Sequence, residues 1–180
     1  SLYCLTVEEG TELALQVGLG NTTVLDEDGQ EVFLQKMWSE LRRLGFEHYE
    51  VSNFCRNGKK SKHNQVYWRL DNYLGLGSSA ASTLKEGSLA RHYTQNQSLQ
   101  EFALSQCFSG YEEEHVDANQ QIEEYVMMAL RTNAGIDKQV FAARYQKDFD
   151  CLFASAISSL DSSWYSDTIQ FFVLTEYGFM

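Results

Sequence analysis

Apolar positions recur at helical spacing most clearly between Asp26 and Leu44, where Val32, Phe33, Met37, Leu41 and Leu44 form one stripe. Asp26, Glu27 and Asp28 suit the positive end of a helix there, Arg42 and Arg43 suit its last turn, and Gly45 is a natural stop. The stripe reads as a core face. Leu2–Val7 (LYCLTV) reads instead as a short buried strand, and Phe46–Phe54 (FEHYEVSNF) as a second one. Residues 8–23, broken by Gly10, Gly18 and Gly20, read as loop or short helix. Strand, helix and strand make a βαβ unit, which predicts an α/β fold with a parallel sheet for the first part of the chain. In such folds ligands gather at the carboxyl ends of strands, here the residues after Phe54.

The second half is patterned differently. Residues 84–97 suggest a strand or loop pair around Arg91–Tyr93, and 98–105 a short helix. The acidic run Glu112–Asp117 (EEEHVD) reads as a connector, with a domain boundary between 112 and 113. Beyond it, Asp117 caps a helix carrying Ile122, Val126 and Leu130, and Asp137 caps one carrying Val140, Phe141 and Tyr145. A third helix runs from Asp150 to about Ser163, and Gln170–Leu174 closes as a strand. Three helices and a β-element describe a winged-helix-like module. Nucleic acid is not the expected partner: residues 117–180 hold four Lys or Arg against nine Asp or Glu, a net of −5. A module that displaces phosphate counterions needs a basic face.

Composition adds limits. In 180 residues, 43% hydrophobic and 13% aromatic content supports a core, and no apolar run approaches the ~18 residues of a membrane span. The opening SLYCLTVEEG is unlike a signal peptide and starts within a predicted strand without a Met, so a piece of a longer protein is expected. Cys4, Cys55, Cys107 and Cys151 lack CxxC spacing, which suits single thiols acting as small apolar residues in a reducing, cytoplasmic compartment. There is no proline, so turns fall to Gly, Asn, Asp and Ser.

Charge is the most informative of these. The chain carries −11, yet between Glu50 and Asp71 there is no acidic residue, and Arg56, Lys59, Lys60, Lys62 and Arg69 gather there, five of 14 cations. Such focusing draws an anion, although a solvated basic loop has the same composition. Within it lies HNQVYW, residues 63–68. His63 can ligate a metal through a neutral imidazole nitrogen, Tyr67 and Trp68 offer stacking faces, and the cations can pair with carboxylates on a flat ring. The plainer alternative packs Tyr67 and Trp68 in the core and leaves His63 to cap a turn. Tyr73–Ser82 (YLGLGSSAAS) then brings a strand-like segment into a G-x-G turn with small residues behind it. Backbone amides can approach a ligand closely there, but the third glycine of a dinucleotide fingerprint and the lysine of a P-loop are missing. A tight strand-end turn is the alternative.

Taken in order, SLYCLTVEEGT, GFEHYEVSNF, HNQVYW and YLGLGSSAAS resemble the radical-SAM proteins described as oxygen-independent coproporphyrinogen III oxidase-like and regarded as haem chaperones. LRTNAGID…F…LTEYG is similar to that family's closing helical domain. The resemblance covers nearly all of this chain and only the second half of a full-length member. It implies the last strands of a partial (βα) TIM-like barrel, residues 1–112, followed by a winged-helix-like domain, residues 113–180. It also implies S-adenosylmethionine and a 4Fe-4S cluster as cofactors of the intact protein. The family's CxxxCxxC cluster motif is absent here, so no residue of this chain is assigned to the cluster and none to catalysis. Tyr3, Cys4, Gly75, Gly77 and Ala81 match segments lining the S-adenosylmethionine pocket. His63, Asn64, Tyr67 and Trp68 match the haem motif, with His63 the candidate ligand of the haem iron.

The GF..YE.SNF and HN..YW motifs side with the chaperone branch rather than with the coproporphyrinogen III dehydrogenases, which convert two propionates to vinyl groups. Haem or porphyrin is then the expected ligand and a haem-acceptor protein a possible partner; a non-catalytic interaction fragment is a third reading. Glu9, Asn57 and Ser78 stand where family members usually have proline, and Ser82 follows an alanine where many have histidine, departures that loosen turns near the pocket. The implied arrangement places a carboxylate-bearing macrocycle and an adenosyl cofactor beside the loops after the sheet's final strands.

Overall fold

The computed structural model describes residues 1–87, 89–105 and 109–179, in two compact units, Ser1–Lys60 and Ser61–Phe179. The expectations for Cys107 fall outside the described residues.

In the first unit, Thr11 caps a short helix α1 (Glu12–Gly18), and Asp26 caps the long helix α2 (Glu27–Arg43) by accepting the Gly29 N–H. The apolar stripe of α2 is not the sealed core face expected of it. Trp38 is buried, but Val32 is 66% and Phe33 46% exposed. The parallel βαβ unit does not form either. Leu2–Val7 carries no strand; the Leu2 N–H donates to the Ser52 carbonyl at 2.8 Å. The predicted strand Phe46–Phe54 folds back on itself as an antiparallel hairpin, β1 (Glu47–Glu50) and β2 (Asn53–Cys55), with a register shift between His48 and Glu50. The reason is local. Buried Glu50 accepts the Ser52 N–H at 3.3 Å and the Asn53 side-chain amide, satisfying a two-residue turn that apolar periodicity alone does not signal.

In the second unit, Ser61 caps helix α3 (Lys62–Trp68), so HNQVYW, for which the sequence alone predicted no element, is helical. An antiparallel meander follows: β3 (Ala81–Glu86), β4 (Leu89–Gln95) and β5 (Tyr111–Val116). The acidic run expected as a connector is thus most of β5. As an edge strand it keeps Glu112–His115 exposed and sets Glu113 3.4 Å from Arg91 on β4. Between β4 and β5, α4 (Leu99–Leu104) starts with a Ser98–Glu101 capping box.

The closing part has the three expected helices, although the third ends at Ser158 rather than near Ser163, and it gains two strands. Asp117, Asp137 and Asp148 cap α5 (Ala118–Ala129), α6 (Lys138–Tyr145) and α7 (Phe149–Ser158). β6 (Ile136–Asp137), β7 (Tyr165–Asp167) and β8 (Phe171–Leu174) pair antiparallel in the order β6-β8-β7. Ile122, Tyr125, Ala129, Ile136, Phe141, Phe149 and Phe172 are buried together, and Leu70, just after α3, joins them. Phe141 meets Phe149 edge to face at 5.4 Å, a geometry that adds to area burial. The molecule is a mixed helix and sheet protein.

Candidate functional site

Helix α3 holds the residues of the predicted haem motif on a single short scaffold. The Ser61 hydroxyl accepts the Asn64 N–H at 3.3 Å and donates to the Asn64 side-chain carbonyl at 3.1 Å, so Asn64 is part of the cap. His63 is exposed, and its Nε2 lies 3.1 Å from the Tyr67 hydroxyl one turn later. The two rings meet edge to face at 4.9 Å, and Tyr67 meets Tyr73 the same way at 4.7 Å. Trp68 is half-buried, with its indole N–H withdrawn from solvent and without a partner. Tyr73, the first residue of YLGLGSSAAS and not among the site residues expected there, completes the ring group; its isolated bridge to Thr83 holds it there.

The G-x-G turn owes its shape to close approach. A Cβ on Gly75 would stand 2.2 Å from the Ala81 carbonyl oxygen, and the Gly75 N–H donates to the buried Ser82 hydroxyl at 3.0 Å. Gly77, at φ +121°, adopts a backbone that favours glycine. Gly75 and Ala81 are therefore brought together. Tyr3 and Cys4 belong to the first unit, where both are exposed and line a cleft of about 300 Å³ with Thr23, Val24 and Phe33.

The five cations do not act alike. In the first unit Arg56 donates to the Leu44 carbonyl at 2.8 Å and covers the Phe46 ring, and Lys60 pairs with Glu47 at 3.0 Å. Lys59, Lys62 and Arg69 are exposed. The thiols also divide: Cys55 is buried, its pKa pushed up by burial and then by Glu47, whereas Cys4 and Cys151 are exposed rather than packed as small apolar groups. Among the described residues no group of three or more His, Cys, Asp or Glu is arranged to hold a metal ion. A haem iron asks for less, one or two axial donors, and an exposed imidazole is a suitable one. If Nε2–H donates to Tyr67, Nδ1 keeps the free lone pair; if Tyr67 donates, ligation through Nε2 must displace that bond.

A second polar group escaped sequence reasoning. The Thr83 hydroxyl lies 2.9 Å from His92 Nδ1, and His92 Nε2 lies 2.6 Å from Glu124 Oε1, linking β3, β4 and α5. His92 and Glu124 are 32 positions apart in sequence, and only the meander brings them together.

Residues 116–163 match the family model described as the HemN C-terminal domain. Heme chaperone HemW of Bacillus subtilis is 30% identical over 166 residues, which cover 89% of this chain and 42% of that protein. The chain matches the C-terminal part of the HemN and HemW family. A mouse relative, the mitochondrial radical S-adenosyl methionine domain-containing protein 1, is 48% identical over 80 residues, 44% of this chain and 18% of its own length. The solved coproporphyrinogen III oxidase HemN of Escherichia coli, described as a radical SAM enzyme, superposes with a TM-score of 0.58 at 16% identity, over 84% of this chain and 38% of that one. At that identity the likeness is one of fold. The chain spans about two fifths of the length of the bacterial haem chaperones it resembles.

Proposed function

We propose that this chain contributes the haem-binding helix and the closing domain of a haem chaperone-like radical-SAM protein. The single observation that carries the proposal is α3, which sets an exposed imidazole against Tyr67, whose ring in turn meets Tyr73 on the strand-like segment after the helix. In this reading His63 is the axial donor, Asn64 fixes the start of the helix, and Tyr67 and Trp68 flank the macrocycle. Lys62 and Arg69 are exposed at the two ends of α3 and in this reading pair with propionates. Bound haem would supply an iron with axial positions open to a protein nitrogen. In the same reading Gly75, Gly77 and Ala81 of the second unit, and separately Tyr3 and Cys4 of the first, contribute to S-adenosylmethionine binding in the intact protein, whose 4Fe-4S cluster has no ligand assigned in this chain. The domain division at 112/113, a haem-acceptor partner and a cytoplasmic location belong to the same proposal. Among the described residues no helix is long and apolar enough to cross a membrane.

Sequence similarity to proteins called haem chaperones favours this reading over coproporphyrinogen III dehydrogenation, since the likeness to the oxidase is one of fold. Titrating the 180-residue chain with haem tests it. A Soret band that shifts and saturates at one equivalent is expected; a spectrum that stays that of free haem contradicts it.

A further inference from the structure

A second cation group lies elsewhere in the Ser61–Phe179 unit and owes nothing to the haem reading. Strand β3 alternates, so Thr83 and Lys85 point to one face, the face on which His92 of β4 reaches Glu124 of α5. The Lys85 backbone is fixed there by Asn72, which accepts its N–H at 2.7 Å and donates to its carbonyl at 3.1 Å. Its ammonium is withdrawn from solvent and has no hydrogen-bond partner. It lines a cleft of about 250 Å³ with Arg144, Lys147, Tyr145 and Gln121. The Arg144 guanidinium lies over the Tyr125 and Tyr145 rings at 5.4 and 5.5 Å, and the Lys147 ammonium makes a 3.4 Å contact with Asn119 Oδ1. Among the described residues three cations and no carboxylate line this cleft, in a chain of charge −11.

We propose that this cleft between β3, α5 and α6 is a binding site for a small dianionic oxyanion, a phosphate monoester or a dicarboxylate, held by Lys85, Arg144 and Lys147. A buried ammonium without a partner is unfavourable unless a counter-charge is supplied. Arg144 offers the planar fork that phosphate and carboxylate accept in pairs, and Lys85 and Lys147 add point charges. The proton balance agrees. Burial first, and then Arg144, depress Lys85 to about 8, while Glu124 and Asp71 act in the opposite direction. An anion in the cleft restores the charged form. Glu124 Oε1 is engaged with His92, and its Oε2 is buried without a partner. The rival structure is therefore an internal pair in which Lys85 turns onto Glu124.

Titration of the full chain with inorganic phosphate, and separately with succinate, at constant ionic strength decides between them, read by the amide resonances of Gly87, Ala118 and Gln146. Saturable shifts with at least one of the two are expected, and the tighter probe names the ligand class. Arg144→Gln or Lys147→Gln should weaken that binding about tenfold, the loss of one charge-assisted contact. Lys85→Met should abolish it while raising the melting temperature, because an unpartnered buried charge is removed. The Lys85 ammonium itself should titrate near 8 without probe and higher with it. Shifts that chloride reproduces, or that the variants leave unchanged, overturn the proposal. So does a Lys85 that titrates at its ordinary value before any probe is added, the mark of the Glu124 pair.

Discussion

His63 Nε2 and the Tyr67 hydroxyl sit 3.1 Å apart on consecutive turns of α3, so the proposed iron ligand already has a partner. Tyr67→Phe removes that hydroxyl and keeps the ring that meets Tyr73. Haem affinity should stay equal or rise a few-fold in this variant if ligation competes with the bond. Stability should change by less than about 0.5 kcal/mol, since this is one partly exposed hydrogen bond. Parallel haem titration and urea unfolding check both statements. A large loss of affinity would show that Tyr67 orients His63 rather than competing for it.

The Thr83–His92–Glu124 chain ties the meander to α5. Glu124→Ala removes the acceptor at 2.6 Å and leaves His92 Nε2 without that partner, which should destabilise the chain by about 1–3 kcal/mol. Thr83→Val, retaining shape, should cost about as much as one neutral bond, roughly 1 kcal/mol. Urea midpoints at pH 7 measure the two. Effects that simply add in the double variant would show that the three residues do not act as a chain.

Lys138, only 11% exposed, donates to both Asp150 and Asp167 at 2.6 Å. Burial alone would lower its pKa, but the two carboxylate bonds outweigh it and hold the ammonium above its ordinary value. A raised pKa in the folded state means that this contribution is complete below the unfolded value of about 10.5 and fades as pH climbs through the folded one. Lys138→Met should therefore cost about 1–2 kcal/mol at pH 7, allowing for the exposure of Asp150. The gap between variant and parent should narrow above pH 10.5. Unfolding curves from pH 7 to about 12 show it.

Two glycines of the chain should respond to alanine with opposite signs. Gly75→Ala places a methyl group 2.2 Å from the Ala81 carbonyl oxygen and should destabilise by about 1–3 kcal/mol. Gly18, the last residue of α1, has open space around it, and Gly18→Ala should be neutral or stabilising by up to about 1 kcal/mol. Melting temperatures of both single variants give the comparison.

Much of this was legible in the residues. The Asp26, Asp117 and Asp137 caps set helix starts where they were expected, because a side-chain oxygen facing an unpaired N–H is a local event. The closing helices were legible for the same reason, and the ordered motifs pointed to the HemN and HemW family. What failed was the non-local part. Phe46–Phe54 carries enough apolar and aromatic residues for one long strand, and the hairpin depends on Glu50 answering Ser52 and Asn53. EEEHV looks like a solvated linker until Arg91 lies beside it on β4. HNQVYW is helical because Ser61 caps it, a signal hidden among neighbouring lysines. The Lys85 cleft and the Glu124–His92 contact join residues from separate segments, and periodicity within either segment says nothing of them.

The most direct measurement is the Soret spectrum of the chain and of His63→Ala across a haem titration, with Asn64→Ala as a control for damage to the α3 cap. Loss of the shifted band and at least tenfold weaker binding in His63→Ala, with the band kept in Asn64→Ala, is the expected result. An unchanged spectrum and affinity in His63→Ala would take the iron away from α3, and with it the haem reading of this helix.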